Sequence, residues 1–175
     1  MGTSRPTYLQ EYGNFIIKLK PKSILDIGIG FGKNGYLARE YTDIWQSRIL
    51  PKEWVINIDG IEIFDTYIHD ATRFIYNNIF LGNVLSHMEL FKNYDLIVMT
   101  DVLEHFIKSD ALLLMNNISK ANHFFITTPI NPSNQKEVNK NKYEEHLCKF
   151  SHKELSQYGC NVINKKDHNI LIAYK

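Results

Sequence analysis

Two stretches of this sequence combine residue types and spacing that chemistry can use. The first is Asp26-Ile27-Gly28-Ile29-Gly30-Phe31-Gly32, in which glycines alternate directly after an apolar run. Bare backbone at such a turn can close on a ligand that a Cβ would push away, which points to a nucleotide-binding turn. A dinucleotide fingerprint would need glycine at position 33, where Lys33 stands, and a phosphate loop would need Ser or Thr where Asn34 stands, so both fit poorly. The second stretch, Asp101-Val102-Leu103-Glu104-His105, sets two carboxylates and an imidazole within five residues, and Tyr143-Glu144-Glu145-His146 supplies a second imidazole. Imidazoles titrating near neutrality can accept a proton from a reacting hydroxyl. The same side chains are ordinary ligands for magnesium, manganese or zinc. Cys148 and Cys160 lack the spacing of a zinc ribbon and read as two ordinary thiols.

The elements that must position these residues alternate. Tyr8, Leu9, Tyr12, Phe15, Ile16 and Leu19 fall on one helical face and Pro21 stops the pattern, which predicts a leading helix over 7–20. Residues 23–28 predict a buried strand that enters the glycine turn, with a helix opening near Lys33. Further strands are expected over 54–62, 79–82, 94–100 and 123–128, and helices over 66–76 and from Ser109 onward. The polar stretch 131–145 reads as a lid loop over a single domain spanning 1–175. Ser151 and Glu154 form a capping box for a short helix that Gly159 would end, and two last strands, over 161–164 and 170–174, pair as a hairpin. This alternation implies a three-layer α/β sandwich around a mostly parallel, seven-stranded sheet with an antiparallel strand from the C-terminal hairpin.

With 20 Lys and Arg against 19 Asp and Glu in 175 residues, no global field recruits nucleic acid or an anionic membrane. No basic-then-apolar leader opens the sequence, and no apolar run approaches the roughly 20 residues that span a bilayer, so a soluble, cytoplasmic protein with no membrane partner is expected. The charge balance leaves the oligomeric state open.

The D-x-G-x-G-x-G turn and the D-V-L-E-H stretch, in this order along the chain, resemble the class I S-adenosylmethionine-dependent methyltransferases, over nearly the whole length and with the Rossmann-like fold of that family. The resemblance implies that S-adenosylmethionine binds through Asp26, Gly28, Gly30, Gly32, Glu62, Ile63, Asn83, Val84 and Asp101. Glu62 would hold the ribose hydroxyls, since a carboxylate accepts two hydrogen bonds without donating. Asn83 stands where the family usually carries an Asp facing the adenine amino group, and would use its amide oxygen instead.

On the acceptor side, the stretch is similar to that of the ubiquinone-pathway O-methyltransferases and of the small-RNA 2′-hydroxyl methyltransferases. This implies catalytic roles for Glu104, His105 and His146. The expected reaction is methyl transfer to a small-molecule or glycan acceptor at a hydroxyl. Nucleic acid is not an expected partner and a divalent metal is not an expected cofactor, although Asp101, Glu104, His105 and His146 are the residues that would hold one. A metal-assisted RNA 2′-hydroxyl methyltransferase and a non-catalytic cofactor-binding partner protein are the alternatives. Specificity is expected to come from the leading helix, the insertion at 45–54 and the lid.

Overall fold

The structure, a computed structural model, describes residues 3–175. A 3-10 turn at Pro6–Tyr8 leads into α1 (Leu9–Leu19), which ends on Lys20 in the left-handed conformation just ahead of Pro21. Strand β1 (Ser23–Ile27) delivers the glycine turn, and α2 (Lys33–Thr42) leaves it. Then follow β2 (Asn57–Glu62), α3 (Asp70–Ile75), β3 (Asn78–Leu81), β4 (Leu96–Thr100), α4 (Lys108–Ile118) and β5 (His123–Pro129). The chain closes with α5 (His152–Ser156), β6 (Asn161–Lys165) and β7 (Ile170–Tyr174).

All seven strands form one sheet in the order β3-β2-β1-β4-β5-β7-β6. Strands β1 to β5 pair in parallel, while β7 runs antiparallel to both β5 and β6. The expected hairpin therefore inserts its second strand into the sheet and leaves β6 at the edge.

Side-chain alternation sends successive strand residues to two cores. Ile24, Ile58, Leu96, Val98 and Phe125 pack under α1 to α3 with Tyr8, Tyr12 and Ile16. Leu25, Ile97, Met99, Phe124 and Ile126 pack on the other face against Ala111, Leu114, Met115 and Ile118 of α4. These two layers around the sheet are the three-layer sandwich that the apolar pattern implied.

Two expectations need correction. Strand β2 begins at Asn57 and not at Trp54, because Trp54 lies flat under the buried Arg39 guanidinium, 4.3 Å from its ring centre. Arg39 also donates to Asp43, 2.6 Å away, and to the Ile56 and Ile75 carbonyls, while Asp43 accepts from Arg48 and from the Val55 amide. This network staples residues 43–56 to α2. The second correction is location: the insertion joins the end of α2 to the start of β2, so it lies at the amino ends of the strands, away from the edge where α/β sheets take ligands. It does not shape the acceptor pocket.

Candidate active site

At the carboxyl ends of β1 to β5 the chain encloses a cavity of about 620 Å³. Its wall includes Gly28, Gly30, Glu62, Ile63, Asn83, Val84, Asp101, Glu104, His105 and His146. Asp26 and Gly32, also expected at the cofactor, are not part of that wall.

The glycine turn works through positive φ. Gly28 has φ +71°, and a Cβ there would lie 2.4 Å from a Val102 methyl, so β1 and the loop after β4 can approach each other only over a glycine. Gly30 has φ +52° and a Cβ there would meet nothing within 4 Å, which leaves its backbone open to the cavity. The Gly30 amide donates to Glu62 at 2.9 Å, and the other Glu62 oxygen accepts from the Ile63 and Phe64 amides at 3.0 and 2.9 Å. Three of the roughly four acceptor positions of this carboxylate are therefore taken, which leaves about one open toward the cavity. Burial pushes the Glu62 carboxyl above its ordinary range against the pull of these amides. The Asn83 amide oxygen already accepts from the Leu85 amide at 3.0 Å, capping a 3-10 turn.

Asp26 sits behind the turn. It accepts from the Tyr76 hydroxyl at 2.6 Å and lies 3.4 Å from the Asn34 amide, which also donates to Thr100 and accepts from Tyr8. Burial pushes the Asp26 carboxyl up to about 7 in spite of these hydrogen bonds. A carboxyl whose folded-state pKa is raised binds its proton more tightly in the fold, so its stabilising contribution is complete below about pH 4 and is lost as pH rises through about 7. We expect the wild-type melting temperature to fall over that window relative to Asp26→Asn, by an amount worth roughly 4 kcal/mol at most. Parallel pH slopes in the two proteins would contradict this.

At the exit of β4, Asp101 adopts φ +52°, pinned by its amide to the Thr127 carbonyl and by Thr127 Oγ1 to its carboxylate at 2.7 Å. Burial raises its carboxyl, against that hydrogen bond and the nearby Lys33. A 3-10 turn at Leu103–His105 then presents the next two residues. Glu104 is buried and accepts from Thr128 Oγ1 at 3.1 Å; burial first, then the charge of Asp101, hold its carboxyl well above the usual range.

The segment 131–147 crosses this turn. Its Leu147 amide donates to the Glu104 carbonyl at 2.8 Å, and its Glu144 accepts from the Tyr67 hydroxyl at 3.0 Å. His105 Nδ1 lies 3.1 Å from the Glu145 carbonyl, and His146 Nδ1 lies 2.8 Å from the Ser133 carbonyl. A carbonyl only accepts, so each Nδ1 donates to its carbonyl. The two rings are 5.1 Å apart, and Glu104, His105 and His146 each offer a ligand atom within 4.8 Å of the other two. Burial lowers the His105 pKa below its ordinary value against the pull of the Glu145 carbonyl.

The sequence reading missed several wall residues. Ser4 and Arg5 line the cavity ahead of α1, whereas no residue of α1 itself does. Lys33 donates to the Ser4 carbonyl, tying that segment to the glycine turn. His168 and Asn169, in the turn between β6 and β7, also face the cavity, and Asn169 bonds Asn131 through both its amide oxygen and its amide nitrogen. These positions carry no local pattern in the sequence.

A glycine turn, an acidic strand end and a carboxylate-imidazole cluster share one cavity. The methyltransferase domain family matches residues 1–163, and the chain belongs to it. It is a methyltransferase of the S-adenosylmethionine-dependent class expected from the sequence. No curated protein matches this sequence. Among solved structures, the methyltransferase domain of bacterial CtHen1-CN is similar, with a TM-score of 0.60 at 15% identity over 97% of each chain. An O-methyltransferase family protein from Burkholderia thailandensis gives 0.63 at 11% identity, over 95% of this chain and 55% of that one. Magnesium protoporphyrin IX methyltransferase from Synechocystis PCC 6803, with bound S-adenosylhomocysteine, gives 0.63 at 11% identity over 96% and 81%. At these identities the likeness is one of fold. No helix among the described residues is long and apolar enough to cross a membrane.

Proposed function

We propose that this methyltransferase acts on an acceptor hydroxyl, and that His105 and His146 face that hydroxyl from the cavity wall. The observation that carries the reading is the convergence of Glu104, His105 and His146 within 4.8 Å, with each imidazole fixed through Nδ1 to a backbone carbonyl. S-adenosylmethionine supplies an electrophilic methyl, whose carbon gains a bond to the acceptor oxygen as its bond to sulfur breaks and the electron pair stays on sulfur. Gly28, Gly30, Glu62, Ile63, Asn83, Val84 and Asp101 form its binding wall, with Asp26 and Gly32 shaping the turn from behind. An imidazole Nε2 takes the proton of the hydroxyl, and the charge of the nearby Asp101 favours the imidazolium that results.

The same cluster favours a second reading. Glu104, His105 and His146 have the donor types for a divalent ion, and both imidazoles have the outer hydrogen bond to a carbonyl that orients metal-bound histidines. A metal held there would act as a Lewis acid, lowering the pKa of the hydroxyl. The likeness to the CtHen1-CN domain is consistent with both readings. The segment 131–145 acts as the lid, and 1–175 as one functional domain. Incubation with methyl-labelled cofactor and fractionated small molecules, glycans and RNA, with and without a chelator, tests the proposal. Label in oxygen that persists in chelator supports the base reading, and label that needs added Mn²⁺ supports the metal. Label confined to carbon or nitrogen overturns both.

A further inference from the structure

The segment 131–147 is held more firmly than its polar composition requires. Val138 and Asn141 exchange both backbone hydrogen bonds, at 3.3 and 2.8 Å, around a turn whose central residues, Asn139 and Lys140, have φ +53° and +61°. That is the backbone of a tight hairpin turn, and Lys140 adopts its left-handed conformation without a short polar side chain to favour it. Such a conformation persists where the surroundings fix it. Asn141 is 3% exposed, and its side chain accepts from the Tyr143 amide to cap the 3-10 turn at Lys142–Glu144.

The ends of this strap are anchored nearby: Asn131 is tied to Asn169, and the Leu147 and Cys148 amides donate to the Glu104 carbonyl at 2.8 and 3.1 Å. A further anchor reaches across the cavity, where the Tyr67 hydroxyl donates to Glu144. Tyr67 is 5% exposed and belongs to the 3-10 turn Asp65–Tyr67 that follows the exit of β2. Its ring packs against Phe31 of the glycine turn and against Phe64, with ring centres 4.9 Å apart in both pairs. The ring therefore stands on the side of the glycine turn while its hydroxyl grips the strap. From Glu144 the bonding continues to His146. Gln135 donates its side-chain amide to the Glu144 carbonyl at 2.7 Å, its own carbonyl accepts from the His146 amide at 3.0 Å, and the Ser133 carbonyl accepts from His146 Nδ1.

We infer that Tyr67 is a positioning residue, whose hydroxyl acts through Glu144 to fix the strap and with it the His146 imidazole on the cavity wall. This deepens the reading in which His146 faces the reacting hydroxyl, and its consequence for the reaction rests on that reading. Tyr67 pins the middle of the strap, the part of a connecting segment that moves most when its ends alone are tied. A misplacement of about 1 Å in a positioned group can cost on the order of 10²-fold in rate, so one hydrogen bond far along the chain from His146 is enough to matter.

The test uses the intact protein. Tyr67→Phe removes the hydroxyl and keeps the ring against Phe31 and Phe64, Glu144→Leu removes the acceptor, and Glu144→Gln keeps an acceptor oxygen in its place. Amide hydrogen exchange over residues 133–147 should be about tenfold faster in Tyr67→Phe and in Glu144→Leu, the equivalent of one hydrogen bond. The double variant should exchange no faster than the singles, and Glu144→Gln should exchange as wild type does. The ring N–H resonance of His146, followed by NMR, should broaden in the first two variants and persist in the third. Affinity for S-adenosylhomocysteine, measured by calorimetry, should be unchanged in all of them. Transfer of label from S-adenosylmethionine to the fractionated acceptors should fall by roughly 10- to 10²-fold in Tyr67→Phe and be retained in Glu144→Gln. Wild-type exchange and ring signal in Tyr67→Phe overturn the inference, as does full transfer with the strap loosened. A loss of S-adenosylhomocysteine affinity in Tyr67→Phe that Glu144→Leu does not share also overturns it and makes Tyr67 a cofactor contact. Label on carbon or nitrogen in the wild type, with exchange and ring signal as expected, overturns the hydroxyl reading and leaves Tyr67 holding the strap.

Discussion

His105→Ala and His146→Ala are each expected to lower kcat by about 10²- to 10⁴-fold, the range for loss of a positioned general base, with little change in cofactor affinity. The double variant should lose little more than the worse single one, because groups that act as a unit are far from additive. The sign of the pH dependence follows from the direction of the His105 shift. Burial holds its pKa below 6.5, so the wild-type rate should be flat above that value and fall as pH drops below it, where the imidazole carries a proton and cannot take another. The declining limb should vanish from the residual activity of the variant in which the base is removed. Steady-state kinetics between about pH 5 and 9 check this; a His105→Ala enzyme with wild-type kcat and an unaltered profile would remove His105 from the mechanism.

Glu62→Ala is expected to weaken S-adenosylmethionine binding by about 10- to 150-fold, the range for losing a hydrogen bond to a charged group. The substitution also leaves the Gly30, Ile63 and Phe64 amides without their carboxylate partner, so the turn loses its side-chain link to the end of β2. Glu62→Gln separates the two effects. Its single amide oxygen can still accept from two amides, and its NH₂ can only donate, which restores part of the turn but not the charged contact. Because one acceptor position remains on Glu62, removing one ribose hydroxyl from the cofactor should cost affinity and removing the other should not. Calorimetric titration of the two deoxyribose analogues measures this; equal losses would mean that the carboxylate serves both hydroxyls.

Much of the fold was legible because its elements announce themselves locally. Strands buried on both faces, such as Leu96–Thr100 and His123–Pro129, read as continuous apolar runs, and the Ser151–Glu154 capping box appears as expected, with both reciprocal bonds formed. The glycine turn was legible because positive φ selects glycine by type. The candidate site was legible only in part. Glu62, Asp101, Glu104 and His105 lie at strand exits, where topology alone brings them together. The Tyr67–Glu144 hydrogen bond joins residues 77 positions apart, and the Tyr8–Asn34 bond joins residues 26 apart, with no periodic signal in either case. Asp26 belongs to the turn motif by sequence, yet its strand position turns the side chain into the Tyr76–Asn34 network behind the wall. The insertion at 45–54 was visible as extra length, but which end of the sheet it occupies depends on the direction of β2.

The central claim is that the cavity at the glycine turn binds S-adenosylmethionine, and isothermal titration of the wild-type protein tests it most directly. The account predicts saturable one-to-one binding of S-adenosylmethionine and of S-adenosylhomocysteine, abolished together by Gly28→Val, with the folded state of the variant checked by circular dichroism. Absence of binding heat and of any rise in melting temperature with either compound, on folded wild-type protein, would contradict it.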